Sequence, residues 1–207
     1  MKFLCVFVSA IIIFSAGVFV TSKNSTATFE AIDAYNKETE YTVVLDAGHG
    51  GEDGGAVAED GTVEKEINLN ITRNIALLFD LFGINYITVR TEDVSVCDDG
   101  LNSIRKRKSS DLLNREELVN TTENAILLSI HQNFFTQSQY SGTQVFYSAN
   151  REESAALAQK IQEKVRTNLQ PDNTREIKKS GDSIYLLYNA KQIAVMVECG
   201  FLSNKAE

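Results

Sequence analysis

Residues 41–51 read Tyr-Thr-Val-Val-Leu-Asp-Ala-Gly-His-Gly-Gly. The first six form a short β-branched, apolar run, and a Gly-rich stretch (GHGGEDGG, 48–55) stops it abruptly. That pattern predicts a buried strand feeding a loop. From Glu64 the periodicity changes: Ile67, Ile71, Ile75, Leu78 and Phe82 recur at spacings of three and four. They predict one apolar helix face, ended by Gly83. Ile84–Val89 (INYITV), Ala125–Ile130 (AILLSI), Thr143–Tyr147 (TQVFY) and Ile193–Val197 (IAVMV) are further strand candidates. A polar helix is expected up to about Asn120, after the basic cluster Arg105–Lys108. A second amphipathic helix is expected over Glu153–Leu169, closed by Pro171. Ile184–Tyr188 reads as a short strand or helix. Strands alternating with helices, several of them apolar throughout, indicate an α/β fold around a largely parallel central sheet.

The remaining composition fits one globular unit with an extension. Of 207 residues, 43% are apolar and 23% charged, which excludes a disordered or collagen-like chain. The net charge of −8 leaves no basic footprint for nucleic acid. A single proline excludes Pro-rich linkers. Three cysteines do not make an even disulfide framework, and no Cys97–Cys199 bridge follows from the sequence. Residues 1–22 carry Lys2 and then an uncharged apolar run, Phe3–Val20, broken only by Ser9, Ser15 and Gly17. They read as an export signal or a retained N-terminal membrane anchor. Residues 23–40 are polar and read as a tether, leaving 41–207 as the folded domain. Its site of action is then extracytoplasmic, with membrane contact only through the N-terminal segment.

In open α/β sheets, ligands bind beyond the carboxyl ends of the strands. His49 follows the first buried strand, His131 follows AILLSI, and Glu198 follows IAVMV. If these strands are parallel, all three point into one crevice. Glu64, at the start of the first helix, can face the same end. The chain has two histidines in all. Two histidines and one carboxylate make a catalytic zinc shell with a fourth position open, and a second carboxylate then serves as proton acceptor and donor. Spacing does not decide which Glu does which. Each residue alone has a plainer reading: a loop histidine is ordinarily surface, and a Glu in a first helical turn favours the macrodipole. A Glu ending a buried strand is the most informative, because a carboxylate near a core needs a partner. The glycines around His49 allow backbone to wrap closely around such a site.

The strings VVLDAGHGGEDGGA, VEKEINLNI, LLSIHQN and VMVECGFLSN, in this order across Val43–Asn204, resemble the zinc-dependent N-acetylmuramoyl-L-alanine amidases of the bacterial cell wall (the amidase_3 family). The resemblance implies one zinc ion per chain, held by His49, Glu64 and His131, with Glu198 as the catalytic carboxylate. It implies a mostly parallel, about six-stranded sheet with helices on both faces. The implied reaction is hydrolysis of the amide between the lactyl group of N-acetylmuramic acid and L-alanine of the stem peptide. The partner implied is peptidoglycan, as glycan strands with stem peptides; substrate choice then comes either from the groove itself or from a protein activator that presents the enzyme to it. SIRKRKSSDLLNR and YSGTQVFYS look most like the germination-specific, spore-cortex amidases. Other readings of the same site are a non-catalytic wall-binding or activator relative and a zinc peptidase acting on stem-peptide bonds. There are departures from the family pattern: Phe134 is bulky where a small residue is usual, Gln192-Ile193 stands where a proline is common, and the chain ends at Glu207, so a closing C-terminal helix is expected to be missing.

Overall fold

The computed structural model describes residues 41–207. The expected signal or anchor (1–22) and polar tether (23–40) lie outside them. No helix among the described residues is long and apolar enough to cross a membrane.

The elements run β1 (Thr42–Ala47), α1 (Glu64–Phe82), β2 (Tyr86–Thr88), α2 (Ile104–Thr121), β3 (Ala125–Asn133), β4 (Gln144–Tyr147), α3 (Glu152–Asn168), β5 (Lys178–Lys179), α4 (Tyr185–Asn189) and β6 (Ile193–Phe201). They build one six-stranded sheet in the order β2-β1-β3-β6-β4-β5. β1 pairs in parallel with β2 and β3, and β3 pairs in parallel with β6. Only the β4–β6 pair is antiparallel. The expected mostly parallel α/β architecture is therefore present.

Both sheet faces are covered, which is why the central strands are apolar without alternation. One face packs Val44, Leu127, Ala194 and Met196 against Val119 of α2 and Leu186 and Leu187 of α4. The other packs Ile130, Val195 and Val197 against Ile71 and Ile75 of α1 and Ala158 of α3. Alternate residues of β6 thus serve opposite cores.

Four sequence expectations need correction. β3 and β6 do not stop at the ends of their apolar runs: His131 and Glu198 lie within the strands, because ladder pairing continues through them. The basic cluster Arg105–Lys108 does not precede the polar helix but forms the first turns of α2, started by Ser103, whose hydroxyl accepts the Lys106 N–H. In α1 the fully buried line is Glu64, Asn68, Leu69 and Thr72, whereas Leu78 and Phe82 are 53% and 49% exposed. The helix turns a polar edge inward because its first turns face the site rather than the core. Finally, the two-residue strand β5 follows no hydrophobic signal: both its residues are exposed lysines. As expected, α1 ends at Gly83, in the left-handed region at φ 65°.

Candidate metal centre

The carboxyl ends of β1, β3 and β6 lie side by side, with Ala47 opposite Ile130 and His131 opposite Glu198. Past the end of β1 the chain turns at His49, whose φ of 63° is unusual for a non-glycine residue. One donor atom from each of His49, Glu64 and His131 lies within 4.8 Å of the others, a grouping that can hold a metal ion. Glu64 stands between the imidazoles: Oε2 lies 3.2 Å from His49 Nε2 and Oε1 lies 3.0 Å from His131 Nδ1. The ring centroids are 4.9 Å apart, edge to face.

Glycine is required at two places here. A Cβ on Gly48 would sit 2.2 Å from His131 Nε2, and one on Gly55 would sit 2.5 Å from Glu64 Oε2. Gly55 also adopts φ 71°. The close approach expected of the Gly-rich loop is thus made at these two positions.

The group is held from outside. The Glu64 carboxylate accepts the Ala56 N–H at 2.9 Å, the Gln132 N–H at 3.1 Å and the Asn68 amide at 3.2 Å. Burial opposes its ionisation, but the two imidazoles outweigh this and hold it well below the usual carboxylate range. On its far side, His49 Nδ1 lies 3.0 Å from Asp53 Oδ2. This carboxylate–histidine arrangement leaves Nε2 facing the centre. Burial alone would lower the His49 pKa, yet Asp53 and Glu64 hold it up at about 9. His49 in turn holds Asp53 well below its ordinary value, with help from Lys108 Nζ at 2.7 Å. Arg107, beside Lys108, pairs with Glu52. The basic turn of α2 is therefore a clamp on the Gly-rich loop.

Glu198 stands on β6 beside His131. It shares a cleft of about 390 Å³ with His49, His131, Ile184, Leu186 and Met196. Its Oε2 is buried and, among the described residues, has no hydrogen-bond partner. Burial, and then the charge of Glu64, push its carboxyl pKa up, while the two imidazoles pull the other way. An unpartnered buried carboxylate oxygen is costly unless something enters to use it. A cation among His49, Glu64 and His131 fits this donor set of two imidazoles and one carboxylate.

Beneath the site lies a buried ionic layer. Arg115 of α2 pairs with Asp46 and Asp111, and Ser129 donates to Asp46 at 2.6 Å.

The sequence pattern of the family described as N-acetylmuramoyl-L-alanine amidase (Amidase_3) matches residues 43–207. The chain belongs to this family.

Among Amidase_3 relatives, the germination-specific N-acetylmuramoyl-L-alanine amidase of Bacillus subtilis is 34% identical over 165 residues, covering 80% of this chain and 68% of that protein. The CwlD amidase of Clostridioides difficile, solved in complex with the GerS lipoprotein, is 39% identical with a TM-score of 0.76, covering 80% of this chain and 84% of that one. An N-acetylmuramoyl-L-alanine amidase from Clostridium difficile 630 superimposes with a TM-score of 0.67 at 27% identity, covering 81% and 83%. The enzyme class expected from the motifs is borne out by these relatives. All four residues singled out in the sequence come together at one end of the sheet. Asp53, Asn68 and Arg115 were not anticipated. Asp53 alone left a signal, a carboxylate four residues after His49 in the same loop.

Proposed function

We propose that this Amidase_3 protein hydrolyses the amide joining the lactyl group of N-acetylmuramic acid to L-alanine of the peptidoglycan stem peptide. One zinc ion would be held by His49, Glu64 and His131, with Glu198 as the catalytic carboxylate. The observation that carries the reading is the placement of an unpartnered Glu198 oxygen in the cleft it shares with two convergent imidazoles. When bound, zinc supplies a Lewis acid that lowers the pKa of water and polarises a carbonyl.

The chain's own residues do the rest. Both histidines must be neutral to ligate; Asp53 and Glu64 orient His49, which gives up its proton on metal binding. Glu198 accepts the proton of the attacking water and passes it to the departing L-alanine amine. Its raised pKa brings it closer to the working pH than an exposed Glu would be. Ile184, Leu186 and Met196 form an apolar wall of the cleft that excludes bulk water and strengthens the electrostatics inside.

The likeness to a germination-specific amidase supports spore-cortex peptidoglycan as substrate. A CwlD amidase solved with a lipoprotein supports a protein partner for this chain as well. We place the activity outside the cytoplasmic membrane, at the wall. Mass spectrometry of digested peptidoglycan, with and without chelator, tests the reaction. Free glycan strands and intact L-alanine-terminated peptides, formed only when zinc is present, are the expected products. Shortened peptides still attached to muramic acid would refute the bond assignment.

A further inference from the structure

Arg90 follows β2 directly and is 3% exposed. Among the described residues its hydrogen bonds go to backbone carbonyls alone. Nε donates to Ala47 O at 2.9 Å, and Nη1 donates to Glu92 O at 3.0 Å. Nη2 is shared between Gly48 O at 3.0 Å and Lys65 O at 2.9 Å. Gly48 precedes His49, and Lys65 follows Glu64. One guanidinium nitrogen therefore ties together the chain neighbours of two candidate metal ligands that lie on different elements.

A second guanidinium completes the grip. Arg115 Nη1 donates to Ala47 O at 3.1 Å, and Nη2 donates to His49 O at 2.8 Å. The carbonyls of Ala47, Gly48 and His49 are thus all taken by the two arginines. His49 sits between them at a positive φ, which a non-glycine residue keeps only where its surroundings over-determine it. Arg115 has Asp46 and Asp111 as direct partners, but among the described residues Arg90 makes no ion pair with a carboxylate and feels Asp46, Asp93 and Asp111 only at longer range. Burying such a cation, beside another cation, is poor economy for packing alone, since apolar residues usually serve at least as well.

We propose that Arg90 is a positioning residue for the metal centre: its fork fixes the separation and orientation of His49 and Glu64, and so sets the affinity of the site for zinc. This rests on the reading of those two residues as ligands. A planar fork is needed, because a lysine ammonium cannot span Ala47 O, Gly48 O and Lys65 O together.

The test is zinc affinity, measured at equilibrium by competition with a chromophoric chelator. The proteins are wild type, Arg90→Lys, Arg90→Met, His49→Ala and Leu187→Ala. Leu187 is fully buried in the core against α2, so its truncation lowers stability without touching the Arg90 contacts. Both Arg90 variants are expected to weaken zinc binding about 10- to 100-fold, the range seen when groups supporting metal ligands are lost. Leu187→Ala should melt earlier yet bind zinc as wild type does. Arg90 variants that melt earlier but bind zinc with wild-type affinity would overturn the proposal, leaving Arg90 a structural residue. If His49→Ala leaves zinc binding unchanged, the ligand reading falls and this proposal with it. If His49→Ala abolishes binding and the Arg90 variants do not weaken it, only the Arg90 assignment falls. Should Arg90→Met fail to fold, Arg90→Lys carries the comparison. Should both fold only in excess zinc, affinity is measured on the zinc-refolded proteins in the same way; should they fail to fold even then, Arg90 is a structural residue and the proposal falls.

Discussion

His131 and Glu198 are register partners on the parallel strands β3 and β6. Met196, two residues before Glu198, packs in the core beneath the cleft, so Glu198 projects to that same side. The pairing places an imidazole and an unpartnered carboxylate next to each other without any loop to position them. Strand-borne groups of this kind are held more closely than loop-borne ones, which suits proton transfer at a fixed distance.

Glu198→Gln is expected to keep zinc bound and lose hydrolysis. The substitution keeps shape and removes the proton acceptor, so turnover should fall about 10²- to 10⁴-fold. Metal content by mass spectrometry and turnover on purified muropeptide are read together. A variant that loses the metal instead would exchange the roles assigned to Glu64 and Glu198.

The raised pKa of His49 has a visible sign. In the metal-free protein it lies at about 9, above the ordinary value of 6.5. Its contribution to stability is therefore full below about pH 6.5 and disappears as pH rises through 9. The chelated protein should lose melting temperature across that window. Zinc binding at pH 7.5 should release a proton, because the imidazole must be neutral to ligate. Calorimetric titration in two buffers of different ionisation enthalpy counts that proton, and equal heats in both buffers would contradict the assignment.

Much of this was legible before any coordinates. β1, β3 and β6 are continuous apolar runs because both faces of each are covered, and such runs announce themselves. Their parallel pairing then brings His49, His131 and Glu198 to one end. What could not be read was the polar scaffolding. Arg90 and Arg115 bond to backbone carbonyls, and a carbonyl leaves no trace in residue type. The inward line Glu64, Asn68 and Thr72 was hidden beneath a stronger apolar stripe on α1, whose last two residues, Leu78 and Phe82, prove to be exposed. The clamp formed by Arg107 and Lys108 gave no sign of its role, because its partners Glu52 and Asp53 lie in a distant segment.

Asp53→Asn should weaken zinc binding about 10- to 100-fold. The carboxylate now accepts from His49 Nδ1 and fixes which ring nitrogen faces the centre; an amide fixes the tautomer less firmly and carries no charge. The defect should be one of affinity, so excess zinc should restore most of the turnover. A variant with wild-type zinc affinity but low turnover at saturating zinc would place Asp53 in the reaction rather than behind the metal.

Gly48→Ala is the sharpest single test of the loop. Its Cβ would fall 2.2 Å from His131 Nε2 and 2.3 Å from Cε1, closer than any real contact. Gly48 cannot move to relieve this. Its N–H holds Ile130 O at 3.0 Å, and its carbonyl is held by Arg90 and by Asn68. His131 must therefore swing away and give up its 3.0 Å contact with Glu64. The main sheet contacts of β1 and β3 lie below this level, so the far-ultraviolet circular dichroism should stay that of the folded protein. Zinc binding should be lost, with hydrolysis lost alongside it. Wild-type zinc affinity in a folded Gly48→Ala protein would mean that His131 is not where the metal is held.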